Sequence, residues 1–464
     1  MFRIRRWLLP AVAALTVTAG SVVAAPSASA APAAPCDTAS TAYNYVVLYA
    51  PHTPQGLVDE ELRAKCGSKV AYYPEIGVAV ASSSTADFAQ RIGVYRAYSG
   101  GRDVAVPPAA RVSLDGEQTT AVATAGDLSA QQWDMRAIHA PEANQINPGS
   151  KSVTVGVLDS GIDAAHPALR AAVDAKASAG CLTGAPDTAP AAWAPTTSDH
   201  GTHVAGTIAG KDPATGFTGI APGVRLASVK VVNDAGYIFP EAAVCGFVWA
   251  GQHHFQVTNN SYFIDPGMFY CSKQPGDAAA FEAVRRAVAY STGRGVLNVA
   301  AAGNAAFDLT AQTTDPVRPH AVDKSCEILP GGLDGVVTVS ATGYAGTKSS
   351  YSNWGRNEID VTAPGGDRAQ LPPAGQGAGC PLSTVFNGGY GTKCGTSMAS
   401  PHVAGVAALL ASKYRFAPPF ALMALLEAQA DPVACGIAAP TCSGPIRDNS
   451  YYGHGSVNAL DAVR

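Results

Sequence analysis

At 464 residues the chain is long enough to bury a large core and to hold one to three domains. Only 14% of its residues are charged and the formal net charge is −4, which excludes the basic surface that nucleic-acid binding requires. Its 48 glycines and 33 prolines mark a loop-rich chain, yet apolar runs recur throughout, as in a globular protein rather than a disordered one.

The chain opens with the basic segment Phe2-Arg3-Ile4-Arg5-Arg6, then an apolar run to about Ala25, then Ala28-Ser29-Ala30. This order predicts an export signal over residues 1–30, cut after Ala30. A retained anchor fits less well, because the run is rich in Ala, Thr and Gly, contains Pro10 and ends in cleavable small residues. No later stretch approaches the ~18 uninterrupted apolar residues of a transmembrane helix, so no membrane association is expected once the signal is removed. All ten cysteines follow the signal, and in an exported chain they are read as disulfides. The pairs expected from their positions are Cys36–Cys66, Cys181–Cys245, Cys271–Cys326, Cys380–Cys394 and Cys435–Cys442, although sequence does not fix connectivity. None has zinc spacing.

Residues 31–106 read as a small α+β domain. "YNYVVLY" is a strand, "PQGLVDEELRAKCG" a helix ending at Gly67, "VAYYPEIGVAVASS" a strand, turn and strand, and "STADFAQRIGVY" a second helix. Residues 107–128 are small, polar and unpatterned, and read as a linker open to proteolysis. From residue 129 to 464 the pattern changes. Short apolar runs at 152–159, 224–232, 255–262, 295–304 and 335–342 alternate with the helical segments "HGTHVAGTIAG", "PEAAVCGFVWAGQHH" and "DAAAFEAVRRAVAYSTG". That alternation predicts a doubly wound α/β fold with a mostly parallel sheet. In such sheets functional groups gather at the carboxyl ends of the strands.

Four positions meet that rule. "VGVLDSGID" ends a strand in Asp159, "SDHGTHVAGTIAG" begins a helix at His200, "VAAAGN" ends a strand in Asn304, and "GTSMASPHVAG" begins a helix at Ser397. A lone Asp of this kind is usually a turn residue. His200 and His203 lack the Glu of a metal-binding HExxH pair, so no metal ligands are expected. His203 and His402 read as packing groups, and Asp163 and Asp199 as turn stabilisers. Together, however, the four positions offer a nucleophile, a base, an orienting acid and an amide donor.

These four blocks, in this order, resemble the signature segments of the subtilases, the subtilisin-like serine endopeptidases. "GIAPGVRLASVKVV", "SSYSNWG", "IDVTAPGG" and "YYGHGSVNALDA" add to the resemblance, which spans about residues 130–464. It implies Ser397 as nucleophile, His200 as general base, Asp159 as the group fixing the imidazole, and Asn304 with the Ser397 N–H as oxyanion hole. It further implies that Asn260, Ser261, Tyr262 and Phe263, with Ala302 and Gly303, line the substrate groove. Phe263 departs from the family's usual glycine and is expected to narrow that groove, as is the inserted "DPGMFYCSKQPG".

The implied protein is a secreted, monomeric proenzyme that acts on protein or peptide substrates. Residues 31–106 would be its inhibitory propeptide. The alternatives are a leader-processing peptidase of narrow specificity, or an inactive member kept for binding. No cofactor is required, and a structural calcium site stays unassigned for want of a contiguous acidic loop. The Asn259-Asn260-Ser261 glycosylation match is read as accidental, since it falls at a strand end.

Overall fold

A computed structural model describes residues 35–37, 40–104, 120–122, 126–318, 320–436, 439 and 441–464. The predicted signal over residues 1–30 and most of the predicted linker lie outside these residues. Residues from Asp37 onward form one compact unit.

Four strands open it: β1 (Tyr43–Leu48), β2 (Ser68–Tyr73), β3 (Val78–Ser83) and β4 (Ala97–Tyr98). They pair antiparallel in the order β2-β3-β1-β4. Helices α1 (Gln55–Ala64) and α2 (Phe88–Ile92) cross over between them. The strands alternate, so each face carries its own apolar set. Tyr45, Val47, Ala79 and Ala81 pack with Val58, Leu62, Phe88 and Ile92 of the two helices. Val46, Leu48, Val78 and Val80 form the opposite face.

The larger sheet has seven strands: β6 (Thr154–Asp159), β7 (Ala179–Gly180), β8 (Arg225–Lys230), β9 (Val257–Asn260), β10 (Leu297–Ala301), β11 (Val336–Thr342) and β12 (Val361–Pro364). Their order is β12-β11-β10-β9-β6-β8-β7, and every adjacent pair is parallel. Helices α3 (His200–Ala209) and α6 (Thr396–Lys413) pack on one face. Helices α4 (Pro240–Gln252) and α5 (Asp277–Gly293) cover the other. This is the doubly wound arrangement that the alternating pattern predicts.

The outer face of the N-terminal sheet closes over α4 and α5, where Val46, Leu48, Val78 and Val80 join the same core as Ala243, Val244, Ala280 and Val284. Polar contacts set the docking. Tyr73 Oη donates to Gly184 O at 2.6 Å, and Arg286 Nη1 donates to Tyr49 O at 2.7 Å and Ile76 O at 3.0 Å.

The linker is not wholly irregular. Its Thr120–Val122 segment, β5, pairs antiparallel with β14 (Tyr390–Thr392), which itself pairs with β13 (Leu382–Thr384). Thr120 and Val122 are β-branched and suit a strand, but three residues among small polar neighbours are too short a run to show a strand period.

Four expected disulfides are present: Cys181–Cys245, Cys271–Cys326, Cys380–Cys394 and Cys435–Cys442. No cysteine among the described residues is free.

Glu241, near the start of α4, is 3% exposed, and its Oε2 has no hydrogen-bond partner. Burial pushes its carboxyl up to about 8. An unfolded glutamate ionises near pH ~4.3, so this residue costs stability progressively as pH rises from there to about 8. Glu241→Gln should raise the thermal midpoint at pH 8, by about 1–3 kcal/mol of stability, and leave it unchanged near pH 4. Thermal melts at both pH values check this.

Candidate active site

Asp159 ends β6 and is fully buried. Its Oδ1 accepts the Ser160 N–H at 2.7 Å, so the carboxylate is locked to its own turn. His200, the first residue of α3, donates from Nδ1 to Asp159 Oδ1 at 2.8 Å and Oδ2 at 3.0 Å. A buried carboxylate only accepts, so the proton sits on Nδ1 and Nε2 is left as the basic nitrogen. Gly201 allows this approach. A Cβ there would stand 3.1 Å from Asp159 Oδ1 and 2.5 Å from Gly161 O.

The register of the sheet sets the neighbours. Leu158 pairs with Asn260, so Ser261 leaves β9 beside Asp159. Ser397 Oγ donates to Ser261 O at 3.2 Å, and Ser261 Oγ donates to Ser397 O at 2.8 Å. Asn259 Nδ2 then donates to Ser261 Oγ at 2.8 Å, while its Oδ1 accepts from Ser400 Oγ at 2.8 Å. All of these groups are buried, so the start of α6 is bolted to the end of β9. With its side chain fully buried, Asn259 is not available as a glycosylation acceptor.

Pro401 has a part in this that sequence reasoning missed. It lies in the second turn of α6, and it lacks the N–H that would bond to the carbonyl four residues back. That carbonyl belongs to Ser397, and Ser261 Oγ takes it instead. Gly395 precedes this helix. It enters the helix in extended backbone, φ 164° and ψ 160°, without a tight left-handed turn.

Asn304 follows β10 and reaches the N-terminus of α6. Thr396 donates to Asn304 Oδ1 from its backbone N at 2.8 Å and from Oγ1 at 2.8 Å. Because the Thr396 N–H can only donate, the Asn304 oxygen faces it and the NH₂ group is turned the other way. Asp159, the imidazole it orients, the serine and the amide thus all stand at the carboxyl edge of the parallel sheet.

The predicted groove residues divide. The side chains of Asn260 and Tyr262 are spent internally: Tyr262 Oη donates to Asn260 Oδ1 at 3.1 Å, and Asn260 Nδ2 donates to Val299 O at 3.0 Å. Burial, with the charge of Asp159 added, pushes the Tyr262 hydroxyl well above its usual range. Phe263 is half-buried against the cluster of Met268, Phe269 and the Cys271–Cys326 bridge, so the insertion supports it. Ala302, beside Gly303, lines a cavity of about 420 Å³ together with Ala301, Thr338, Glu327 and Glu358, and exposed Asp323 and Lys324 stand at its edge. Burial, then the charges of Glu358 and Asp334, push the Glu327 carboxyl up to about 7. Glu358 is also raised, by burial and by Asp308.

The remaining polar residues hold the frame. His203 is fully buried and donates to Gly391 O at 3.2 Å, and burial holds it well below the ordinary imidazole range. His402 bridges Met398 O at 2.8 Å and Asp134 Oδ2 at 3.1 Å. Asp163 Oδ1 accepts from Ala165 N at 3.0 Å, a turn contact as expected. Asp199 does more than that, pairing with Lys393 at 3.0 Å and so linking the His200 loop to the segment before Ser397. Among the described residues, Cys271, Asp277 and His320 stand close enough to share an ion, but Cys271 is in a disulfide and Asp277 pairs with Arg318 at 2.8 Å.

Known proteins share this arrangement. The model of the subtilase family matches residues 150–455. Subtilisin DY of Bacillus licheniformis is 31% identical over 313 residues, which is 68% of this chain and 91% of that protein. The epidermin leader peptide processing serine protease (EpiP) of Staphylococcus aureus superposes with a TM-score of 0.69 at 21% identity, over 91% of this chain and 98% of that one. A lanthipeptide protease superposes with a TM-score of 0.57 at 27% identity, over 72% and 94% of the two chains. With its family blocks brought to one sheet edge and matched over two thirds of its length, the chain belongs to the subtilase family and is a subtilisin-like serine endopeptidase.

Proposed function

We propose that the chain is made as a secreted, self-processing precursor and cuts peptide bonds through an acyl-enzyme on Ser397. The observation that carries this is the buried Asp159–His200 pair at 2.8 Å, set on the same sheet edge as the serine. In the proposed cycle His200 Nε2 takes the Ser397 proton as the oxygen attacks the carbonyl carbon, and returns it to the leaving amine. Water then enters by the same route and releases the acyl group. Asp159 fixes the tautomer and offsets the imidazolium charge.

The oxyanion donors are the Asn304 amide and the Ser397 N–H. Of the first N–H groups of α6, that of Thr396 bonds to Asn304, and those of Met398 and Ala399 to Gly395 O. The Ser397 N–H between them is assigned to the oxyanion, where the positive helix end adds to it. Since the side chains of Asn260 and Tyr262 are engaged inward, substrate would meet the main chain of residues 260–263 as an added strand.

Residues 1–30 are assigned as signal, 31–106 as inhibitory propeptide, 107–128 as the segment cut on maturation, and 129–464 as the peptidase. The close packing of the N-terminal sheet on α4 and α5 supports the propeptide role. Among the described residues no helix is long and apolar enough to cross a membrane. A second reading, a dedicated leader-processing peptidase, is favoured by the likeness to the lanthipeptide protease.

The cavity beside Ala302 would receive the side chain before the cut, and its two glutamates favour a basic one. As pH rises through about 7, Glu327 gains its charge. The kcat/KM ratio of Lys over Leu substrates should therefore rise between pH 6 and 8, on the order of tenfold, which corresponds to about 1.4 kcal/mol of charge attraction. Taking a ratio cancels any pH dependence that the two substrates share. Profiling against a peptide library at both pH values tests the function. Many cut sites with a basic preference support the general endopeptidase, one sequence alone supports the leader peptidase, and no cleavage at all would contradict both.

A further inference from the structure

The loop at residues 302–307 carries Asn304 outside any regular element, so something else must hold it still. Asn353, fully buried in the turn after β11, does so from across the site. Its Nδ2 donates to Ala302 O at 2.9 Å. Its Oδ1 accepts from Ala305 N and Phe307 N, each at 3.0 Å. Its own backbone N donates to Gly303 O at 3.0 Å. One carboxamide therefore grips the chain on both sides of Asn304. Gly303, at φ +100°, completes the fit, because a Cβ there would stand 2.5 Å from Asn353 Nδ2. Asn353 is itself fixed to the sheet through Ser352, whose Oγ accepts from Ala341 N at 3.0 Å, and the Trp354 N–H adds one more bond to the loop, to Phe307 O at 2.8 Å.

We infer that Asn353 is a positioning residue for the hydrolytic reaction, holding the Asn304 amide at the angle that meets the oxyanion. This rests on the reading of Asn304 as oxyanion donor. A donor displaced by about 1 Å loses much of its effect on the barrier while ground-state binding is little altered. The donor that fixes the Asn304 side chain, Thr396, lies on another element, so the backbone clamp and the side-chain clamp are both needed.

The test is a double-mutant cycle on kcat, with KM and thermal midpoint measured alongside. Asn353→Ala should lower kcat about ten- to hundredfold with KM changed less than about twofold. In the Asn304→Leu background the same substitution should change kcat by less than about twofold, since the amide it positions is gone. Asn353→Ser, a smaller truncation, serves if the alanine variant does not fold, and should show the same coupling. An equal loss of kcat in both backgrounds overturns the inference and leaves Asn353 a structural residue. An unchanged kcat in Asn304→Leu alone removes the oxyanion reading, and this inference with it.

Discussion

Ser397→Ala should lower kcat by about 10⁶-fold while leaving substrate binding nearly intact. In subtilisin, where the same constellation has been dissected, removing the serine or the histidine alone costs about this much, and removing the whole triad costs little more. The reason is that no bond can form to the carbonyl carbon without the oxygen, so the remaining groups have nothing to assist. His200→Ala should give a loss of similar size, and the double variant should be no worse than either single one. The Ser397→Ala chain should also accumulate as an uncut precursor, because the proposed self-cleavage in the linker would use the same hydroxyl. Steady-state kinetics and the intact mass of the secreted product check both halves. A Ser397→Ala protein that still matures in pure form would mean that the hydroxyl is not the nucleophile.

Asn304→Leu should lower kcat by about 10²–10³-fold, or roughly 3–4 kcal/mol of transition-state stabilisation, with KM nearly unchanged. Leucine keeps the shape but loses the NH₂ donor that Thr396 turns toward the reaction. It also takes the acceptor away from the Thr396 N–H, so a loss of stability of about 1–3 kcal/mol should accompany it. Kinetics at saturating substrate separate the two effects, because a stability loss well below the melting temperature does not change kcat. A variant with unaltered kcat would show that this amide does not meet the oxyanion.

Much of the fold was legible because buried parallel strands are written as short apolar runs. β6, β8, β9, β10 and β11 all fall inside segments that read as such runs. β7 has only two residues and β12 ends in Pro364, so neither leaves a run to read. β5 is as short, three residues inside a small polar stretch, and shows only through its pairing with β14.

In the candidate site, the four residues proposed to carry the chemistry could be picked out from sequence, and those that hold them could not. Asp159 ends a strand, His200 begins a helix, Ser397 is the second residue of one, and Asn304 lies three residues beyond a strand rather than at its end as expected; positions so close to element ends can be read. The grip of Asn353 on residues 302–307 crosses about fifty residues of chain and leaves no period behind. Pro401 reads locally as a tolerated proline, and its effect appears only when Ser261 is seen to take the carbonyl it leaves. The Lys393–Asp199 pair spans nearly two hundred residues and is silent in sequence in the same way.

The account's central claim is that the hydroxyl of Ser397 is made nucleophilic by His200 and Asp159. Labelling the purified mature protein with a serine-directed phosphonate, followed by peptide mapping, tests it most directly. The account predicts one adduct, on Ser397, lost in both Ser397→Ala and His200→Ala in parallel with activity. An active protein that takes no label at Ser397, or labels equally well without His200, would contradict it.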